Sequence, residues 1–246
     1  MSLIWRKKCT CESYACVPEL NQIGVTPEEA RRYQPDSLWS YEIVAKTSWL
    51  DDRLTVNSAV FYIDWKNIQQ LILLQCGFQF EANAGAAKSE GGEIEVHARP
   101  LYGLDLTAGL GYNYAIITQA GSGSPQQVGS RIYEVPDWTG SFGATYTVAL
   151  NSKYSLLVNT QYSYVGDSES GNNDPTDPRI RAPYQLVDLR TALSWEKYGV
   201  ALVGKNLTSE HANLSDNRSI VAADPGRPRV VTNQPRTIGV EARYKF

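Results

Sequence analysis

Two histidines, four cysteines and a scatter of carboxylates and guanidinium groups are the side chains of this sequence that could do chemistry. His97 and His211 stand far apart in unrelated contexts, so no nucleophile–base–acid triad can be argued. No Gly-x-Ser-x-Gly elbow, phosphate loop or dinucleotide fingerprint occurs either. The sequence therefore nominates no catalytic residue, no metal site and no cofactor. His97 alternates with Glu93, Glu95 and Arg99, which reads as one polar face of a strand. Cys9, Cys11, Cys16 and Cys76 lack the paired spacing of a structural zinc site, and a Cys16–Cys76 disulfide stays open for an oxidising compartment. Asp167, Glu169, Asp174 and Asp177 supply the oxygen ligands Ca²⁺ takes, but at no recognised loop spacing; a solvated acidic loop is the plainer reading. Arg179, Arg181, Arg227 and Arg229 could grip phosphate or another anion, or be ordinary loop charge. Asn206, Asn213 and Asn217 each open an Asn-x-Ser/Thr acceptor pattern.

The elements that would position these groups are strands. From Thr237 to Phe246, Ile238, Val240, Ala242, Tyr244 and Phe246 share one face, while Glu241, Arg243 and Lys245 share the other. A strand apolar toward lipid and charged toward a wet lumen is what a transmembrane β-barrel requires. Hydrophobic residues make up 42 %, and no run approaches the ~20 apolar residues of a helical span. The mean hydropathy of −0.34 is compatible with a barrel, whose strands dilute apolar residues with polar ones. Fifteen Tyr and six Trp against five Phe favour rings with one wet end, as at a membrane interface. The net charge of −3 argues against a nucleic-acid surface, and no such partner is expected.

About nine strand-like segments can be read: 38–50, 54–74, 80–100, 104–118, 136–150, 154–166, 184–195, 199–208 and 237–246. Trp39, Tyr41, Ile43, Ala45, Thr47 and Trp49 share the apolar face of the first. In the second, Phe61, Ile63 and Trp65 share a face, with an ambiguous early register that could hold a bulge. Leu104, Leu106, Ala108, Leu110, Tyr112 and Tyr114 oppose Asp105, Thr107 and Asn113. Short and long connections alternate, as barrels do with periplasmic turns and outer loops. A membrane girdle is expected at Trp39, Tyr41, Trp49, Tyr112, Tyr114, Trp138, Tyr162, Tyr164, Trp195 and Tyr244. An odd number of strands suits an incomplete wall better than a closed barrel, since single-chain bacterial barrels generally have an even count.

The stretches Tyr33–Thr47 (YQPDSLWSYEIVAKT), Phe61–Ile68 (FYIDWKNI), Val135–Trp138 (VPDW), Lys205–Thr208 (KNLT) and Gln234–Phe246 (QPRTIGVEARYKF) are weak singly but telling in their order. In them the chain resembles the carboxy-terminal part of a TonB-dependent outer-membrane receptor. The resemblance implies an all-β fold, an antiparallel portion of a barrel of about 22 strands. It implies residues 1–32 as a poorly structured stub and outer loop, and 33–246 as barrel wall. It further implies uptake of ferric siderophores or other scarce nutrients by the complete protein, with a plug in the lumen. The TonB complex would be reached only through an amino-terminal region. Ile238, Val240, Ala242, Tyr244 and Phe246 resemble the strand read by the barrel-assembly machinery.

The first residues, with Arg6, Lys7 and Lys8 close behind Met1, lack the apolar core of a secretory leader. The expectation is a piece lacking leader, TonB box and plug, which would not transport alone. Two other readings stay open: a small autonomous outer-membrane barrel acting as pore or adhesin, and a non-functional truncated product.

Overall fold

The computed structural model describes residues 17–28, 30, 32–73, 79–83, 85–121, 124, 126–170, 179–217 and 229–246. Its body is one antiparallel sheet of nine strands, ordered as they come along the chain. These are β1 (Ser37–Trp49), β2 (Leu54–Lys66), β5 (Gly85–Leu101), β6 (Leu104–Ala120), β7 (Trp138–Ala149), β8 (Tyr154–Val165), β11 (Tyr184–Trp195), β12 (Tyr198–Lys205) and β15 (Thr237–Tyr244). At one end the strands join by short turns at 50–53, 102–103, 150–153 and 196–197; at the other they run into long connections. Three of those connections carry small hairpins: β3 (Gln69–Leu73) with β4 (Gln79–Asn83), β9 (Ser168–Ser170) with β10 (Arg179–Arg181), and β13 (Asn213–Asn217) with β14 (Arg229–Thr232). The sheet is open, with β1 and β15 at its two edges.

Several expectations change in detail. The segments 54–74 and 80–100 each divide. The break between β2 and β3 falls at Asn67, which takes φ 55°. The break between β4 and β5 leads into Gly85, at φ 145°, where a Cβ would collide with the Gln119 carbonyl oxygen. β1–β2 and β2–β5 pair in unbroken register, so β2 holds no bulge. The loops expected at 167–183 and 209–235 contain the β9–β10 and β13–β14 hairpins. Residues 17–32, expected to be poorly structured, include a short helix α1 (Val17–Gln22). Its Leu20 is fully buried with Val25, Ala30, Ile72 and Phe80, so this segment packs against the β3–β4 hairpin. Asn83 then clamps the incoming chain, accepting from the Gln34 backbone N–H at 2.6 Å and donating to its carbonyl at 2.8 Å.

A sheet that encloses no core of its own shows in its burial. Among the described residues the buried apolar side chains larger than alanine gather in two clusters at the loop end. One is the α1 cluster; the other is Ile68, Ala87 and Ile117, with Trp65 and Ile132 against them. On the two edge strands Ile43, Val240 and Ile238 are 75, 73 and 69 % exposed, which in water would leave apolar surface uncovered.

Cross-strand rows also slip along the sheet. The row through Trp49 passes Leu54, Ala98, Leu106, Ala144, Thr160, Leu189 and Gly204 and reaches Ile238. Trp49 ends its strand at the short-turn end, whereas Ile238 begins β15 at the loop end. Strands that tilt across a barrel wall produce this stagger.

Candidate functional site: a two-faced wall and its outer rim

Register assigns every side chain of the sheet to one of two faces. Trp39, Tyr41, Ile43, Ala45, Thr47 and Trp49 lie opposite Asp64, Tyr62, Val60, Ser58, Val56 and Leu54. The same face continues through Ile94, Val96, Leu106, Leu110, Phe142, Tyr146, Val158, Leu193, Leu202 and Val240. The other face carries Glu42, Lys46, Glu93, Glu95, His97, Asp105, Asp188, Arg190, Glu241 and Arg243. Phe61, Ile63 and Trp65 do share a face, but it is this polar one, opposite Glu42, Ser40 and Leu38. Their cover explains it. Phe61 lies over Gly91, where a Cβ would meet its ring at 2.8 Å, and Trp65 packs against the Ile68 cluster. The Trp65 indole N–H donates to Asp36 at 2.8 Å.

All ten aromatics named from the sequence fall on the apolar face, in two belts. Trp39, Tyr41, Tyr112, Tyr114, Trp138, Tyr162 and Tyr164 lie toward the loop end, with Tyr112 and Trp138 rings 4.7 Å apart. Trp49, Trp195 and Tyr244 lie at the short-turn end. The girdle expected from the sequence leaves out Tyr154 and Tyr198, which complete a ladder of neighbouring rings there: Tyr154, Trp195, Tyr198, Tyr244, Phe246, with centroids 6.3, 5.9, 5.2 and 5.1 Å apart. The clue was available in the apolar parity of Tyr154 within its strand. Ile238, Val240, Ala242 and Tyr244 share that face on the sheet's edge, and Phe246 follows them.

The polar face is cross-linked by its own side chains. His97 pairs with Asp105 on the next strand, the Asn159 amide donates to Thr145 Oγ1 at 2.8 Å, and Arg190 binds Glu241 at 3.1 Å. Gly109 and Gly111 leave a shallow groove of about 210 Å³ between Glu93 and Glu95 on one side and Thr139 and Ser141 on the other. At the short-turn end a wider recess of about 620 Å³ is lined by Asp51, Arg53, Arg99, Tyr102, Asp105 and Thr145. Among the described residues no cluster of three His, Cys, Asp or Glu side chains could hold a metal ion.

Two arginines and one asparagine knit the outer rim. Arg131 binds Asp167 at 2.7 Å and Asp137 at 3.0 Å, joining the β6–β7 and β8–β11 connections. Burial opposes its charge, yet the two carboxylates more than offset that and hold the guanidinium above its ordinary pKa. Arg181, 7 % exposed, binds Glu134 at 3.0 Å and reaches the Leu214 carbonyl, so it links a third connection. Asn206, 4 % exposed and at φ 50°, donates its amide to the Glu210 and Gln234 carbonyls, each at 2.9 Å. Its Oδ1 accepts from the Glu210 N–H at 2.9 Å, and its own N–H donates to Asp188 at 2.8 Å. A buried amide with these bonds is a structural clamp, not a glycosylation acceptor. Asp174, Asp177, Arg227 and the four cysteines lie outside the described residues, while Asp167 and Arg181 are engaged in the ion pairs above. Asp137 and Asn206 fall inside the stretches VPDW and KNLT; Arg131 sits in a loop without periodicity and could not be singled out.

The wall has recognisable relatives. The metal-pseudopaline receptor CntO of Pseudomonas aeruginosa PAO1 is 25 % identical over 210 residues, covering 85 % of this chain and 28 % of its own length. Among solved structures, the siderophore receptor PiuA from Acinetobacter baumannii matches with a TM-score of 0.70 at 18 % identity, over 92 % of this chain and 31 % of its own. The ferric yersiniabactin uptake receptor FyuA from Yersinia pestis matches with a TM-score of 0.69 at 19 % identity, over 86 % and 30 %. The chain thus spans less than a third of the relatives it resembles. The family described as TonB dependent receptor-like, beta-barrel matches residues 19–207, and with that match laid over the two-faced antiparallel sheet the chain belongs to the TonB-dependent receptor β-barrel family, whose place is the Gram-negative outer membrane.

Proposed function

We propose that residues 33–246 are barrel wall of an outer-membrane receptor that takes up a scarce nutrient such as a ferric siderophore or another metal chelate, and that the chain has no catalytic role. One observation supports this most. Between the two aromatic belts no charged side chain occupies the apolar face, while the other face of the same strands carries Glu42, Lys46, Glu93, Glu95, His97, Asp105, Asp188, Arg190, Glu241 and Arg243 among others. Trp39 and Trp49 lie ten residues apart. At ~3.3 Å per residue that is roughly 33 Å along the strand, and ~25 Å across a bilayer at a tilt near 40°. This equals the ~25 Å apolar band of outer-membrane barrels. Asp64, Lys66, Lys88 and Glu90 occupy the apolar side only at or beyond the level of Tyr41 and Tyr62, paired as Lys66–Asp64 at 3.2 Å and Lys88–Glu90 at 3.1 Å. There they would meet head groups.

On this reading the ten named aromatics form the membrane girdle, the polar face meets a plug, and the β15 stretch ending at Phe246 serves barrel assembly. TonB acts through a region outside these residues. A small autonomous barrel fits less well, because β1 and β15 stand at opposite edges of an open sheet. The test is a hybrid receptor in which residues 33–246 replace the corresponding strands of the Yersinia pestis receptor. Detergent-dependent extraction from the outer membrane and uptake of an iron chelate are expected; a hybrid recovered in the water-soluble fraction would refute the proposal.

A further inference from the structure

Taking the chain as barrel wall, we infer that the short-turn ends of β8, β11, β12 and β15 form a binding site for an anionic phospholipid of the periplasmic leaflet. Three rows of side chains follow one another there. Tyr154, Trp195, Tyr198 and Tyr244 are direct cross-strand partners, so four consecutive strands each set one ring at the same level of the apolar face. Phe246 extends the row, edge-on to Tyr244. Two residues further toward the middle of the wall, Leu156, Leu193, Val200 and Ala242 form a purely aliphatic row. Beyond the rings, away from the middle, stand Lys153, Lys197 and Lys245, all exposed.

The backbone holds the cations in place. The Lys245 N–H donates to the Lys197 carbonyl at 2.8 Å, which makes these lysines neighbours one step past Tyr198 and Tyr244. Lys153 precedes Tyr154, with its ammonium 5.9 Å from that ring's centroid. Glu196, the side-chain carboxylate of this sector, is held by Lys153 at 3.1 Å. Among the described residues Lys197 and Lys245 take part in no ion pair. Aliphatic, aromatic, ammonium is also the order in which a phospholipid presents its acyl chains, ester region and phosphate. Tyr and Trp rings settle at the interface, and lysine heads stay in the water beside it. Ammonium groups without carboxylate partners select a head group of net negative charge.

The opposite sector of the same rim lacks this order. At the short-turn ends of β1, β2 and β5 the apolar face carries Trp49, Leu54 and Ala98, a single ring beside two aliphatic side chains. The charges there, Asp51, Asp52, Arg53 and Arg99, are mixed in sign, and the Arg99 guanidinium donates to the Asp52 carbonyl at 2.9 Å. The site is therefore local to four strands and is not a general property of the aromatic belt.

The experiment places the hybrid receptor in phosphatidylethanolamine vesicles containing a minor share of brominated phosphatidylglycerol or, in parallel, of brominated phosphatidylethanolamine. Bromine quenches tryptophan fluorescence on contact, and subtracting the Trp195→Phe hybrid isolates the signal of Trp195 in the ring row. Stronger quenching by the anionic lipid is expected, weakening as salt is raised. Lys197→Gln and Lys245→Gln should each lower that preference about fivefold. Arg53→Gln, which removes the same charge in the opposite sector, should leave it unchanged. Equal quenching by the two lipids, a preference that the lysine variants retain, or displacement by glycerol phosphate in solution overturns the inference and leaves the wall reading intact. The preference of the unsubstituted hybrid and its salt dependence are read without any variant, so a lysine variant that fails to insert does not shield the inference. A hybrid found only in the water-soluble fraction removes both site and wall.

Discussion

Leu110→Arg places the two-faced wall under direct strain. Leu110 is 50 % exposed on the apolar face, with Ile94 on one side and Gly140 on the other, so no large neighbour shields it on the β7 side. The nearest polar ring hydroxyls on its own strand are those of Tyr112 and Tyr114. Tyr112, the nearer, is two residues on, roughly 7 Å along a strand, or ~5 Å toward the surface at a tilt near 40°. An arginine stem that snorkels covers much of that path. The cost therefore falls between the midplane and interfacial values, about 1–2 kcal/mol, which lowers the folded-to-unfolded ratio roughly five- to thirty-fold. Thr107→Arg, three residues away on the exposed polar face, is the matched control and should change stability by about 0.5 kcal/mol or less. Urea titration of the hybrid receptor in phospholipid vesicles, followed by tryptophan fluorescence, measures both. Equal losses on the two faces, or a neutral Leu110→Arg, would refute the assignment of the apolar side to lipid.

Asn206→Ala removes a buried amide with four partners and places alanine at positive φ; a loss of about 2–4 kcal/mol is expected in the same titration. Gly91→Val should prevent assembly or cost several kcal/mol, because a Cβ there meets the Tyr112 carbonyl oxygen and the Phe61 ring; yield of heat-modifiable protein reads this out, and normal yield would show that β5 can shift. Arg131→Met frees Asp137 and Asp167, both partly solvated, so the stability cost should stay near ~1 kcal/mol. The informative change is faster proteolysis within 121–135, and an unchanged cleavage rate would remove Arg131 as the tie between connections.

Strand order, pairing direction and the polarity of most faces were legible because period-two alternation is imposed by lipid on one side and water on the other. β6 shows it from Leu104 to Tyr114, and β15 shows it throughout. β2 does not, since its polar face is also apolar in part: Phe61 fills the space that Gly91 leaves, and Trp65 closes a small cluster above the lumen. Only the unbroken β1–β2–β5 register decides which side they occupy. The outer hairpins escaped for a different reason. Strands of three to five residues, such as β9 and β13, carry too few alternations to register a period. Arg131 was equally hidden, because its partners Asp137 and Asp167 come together only through the sheet. Asn206 lay in a recognisable stretch, yet its function as a clamp needed the positive φ and the carbonyls of Glu210 and Gln234.

The slip of the cross-strand rows has a consequence for anything that moves past the polar side. Ser48, Thr55, His97, Thr107, Gly143, Gln161 and Asp188 form one unbroken row. It starts beside the turn at 50–53 and finishes beneath the Asn206 clamp. Hydroxyl, imidazole, amide and carboxylate groups thus wind upward like the thread of a screw. Successive groups of the row therefore stand at rising levels, from the short-turn end toward the loop end, as the sheet is followed from β1 to β11.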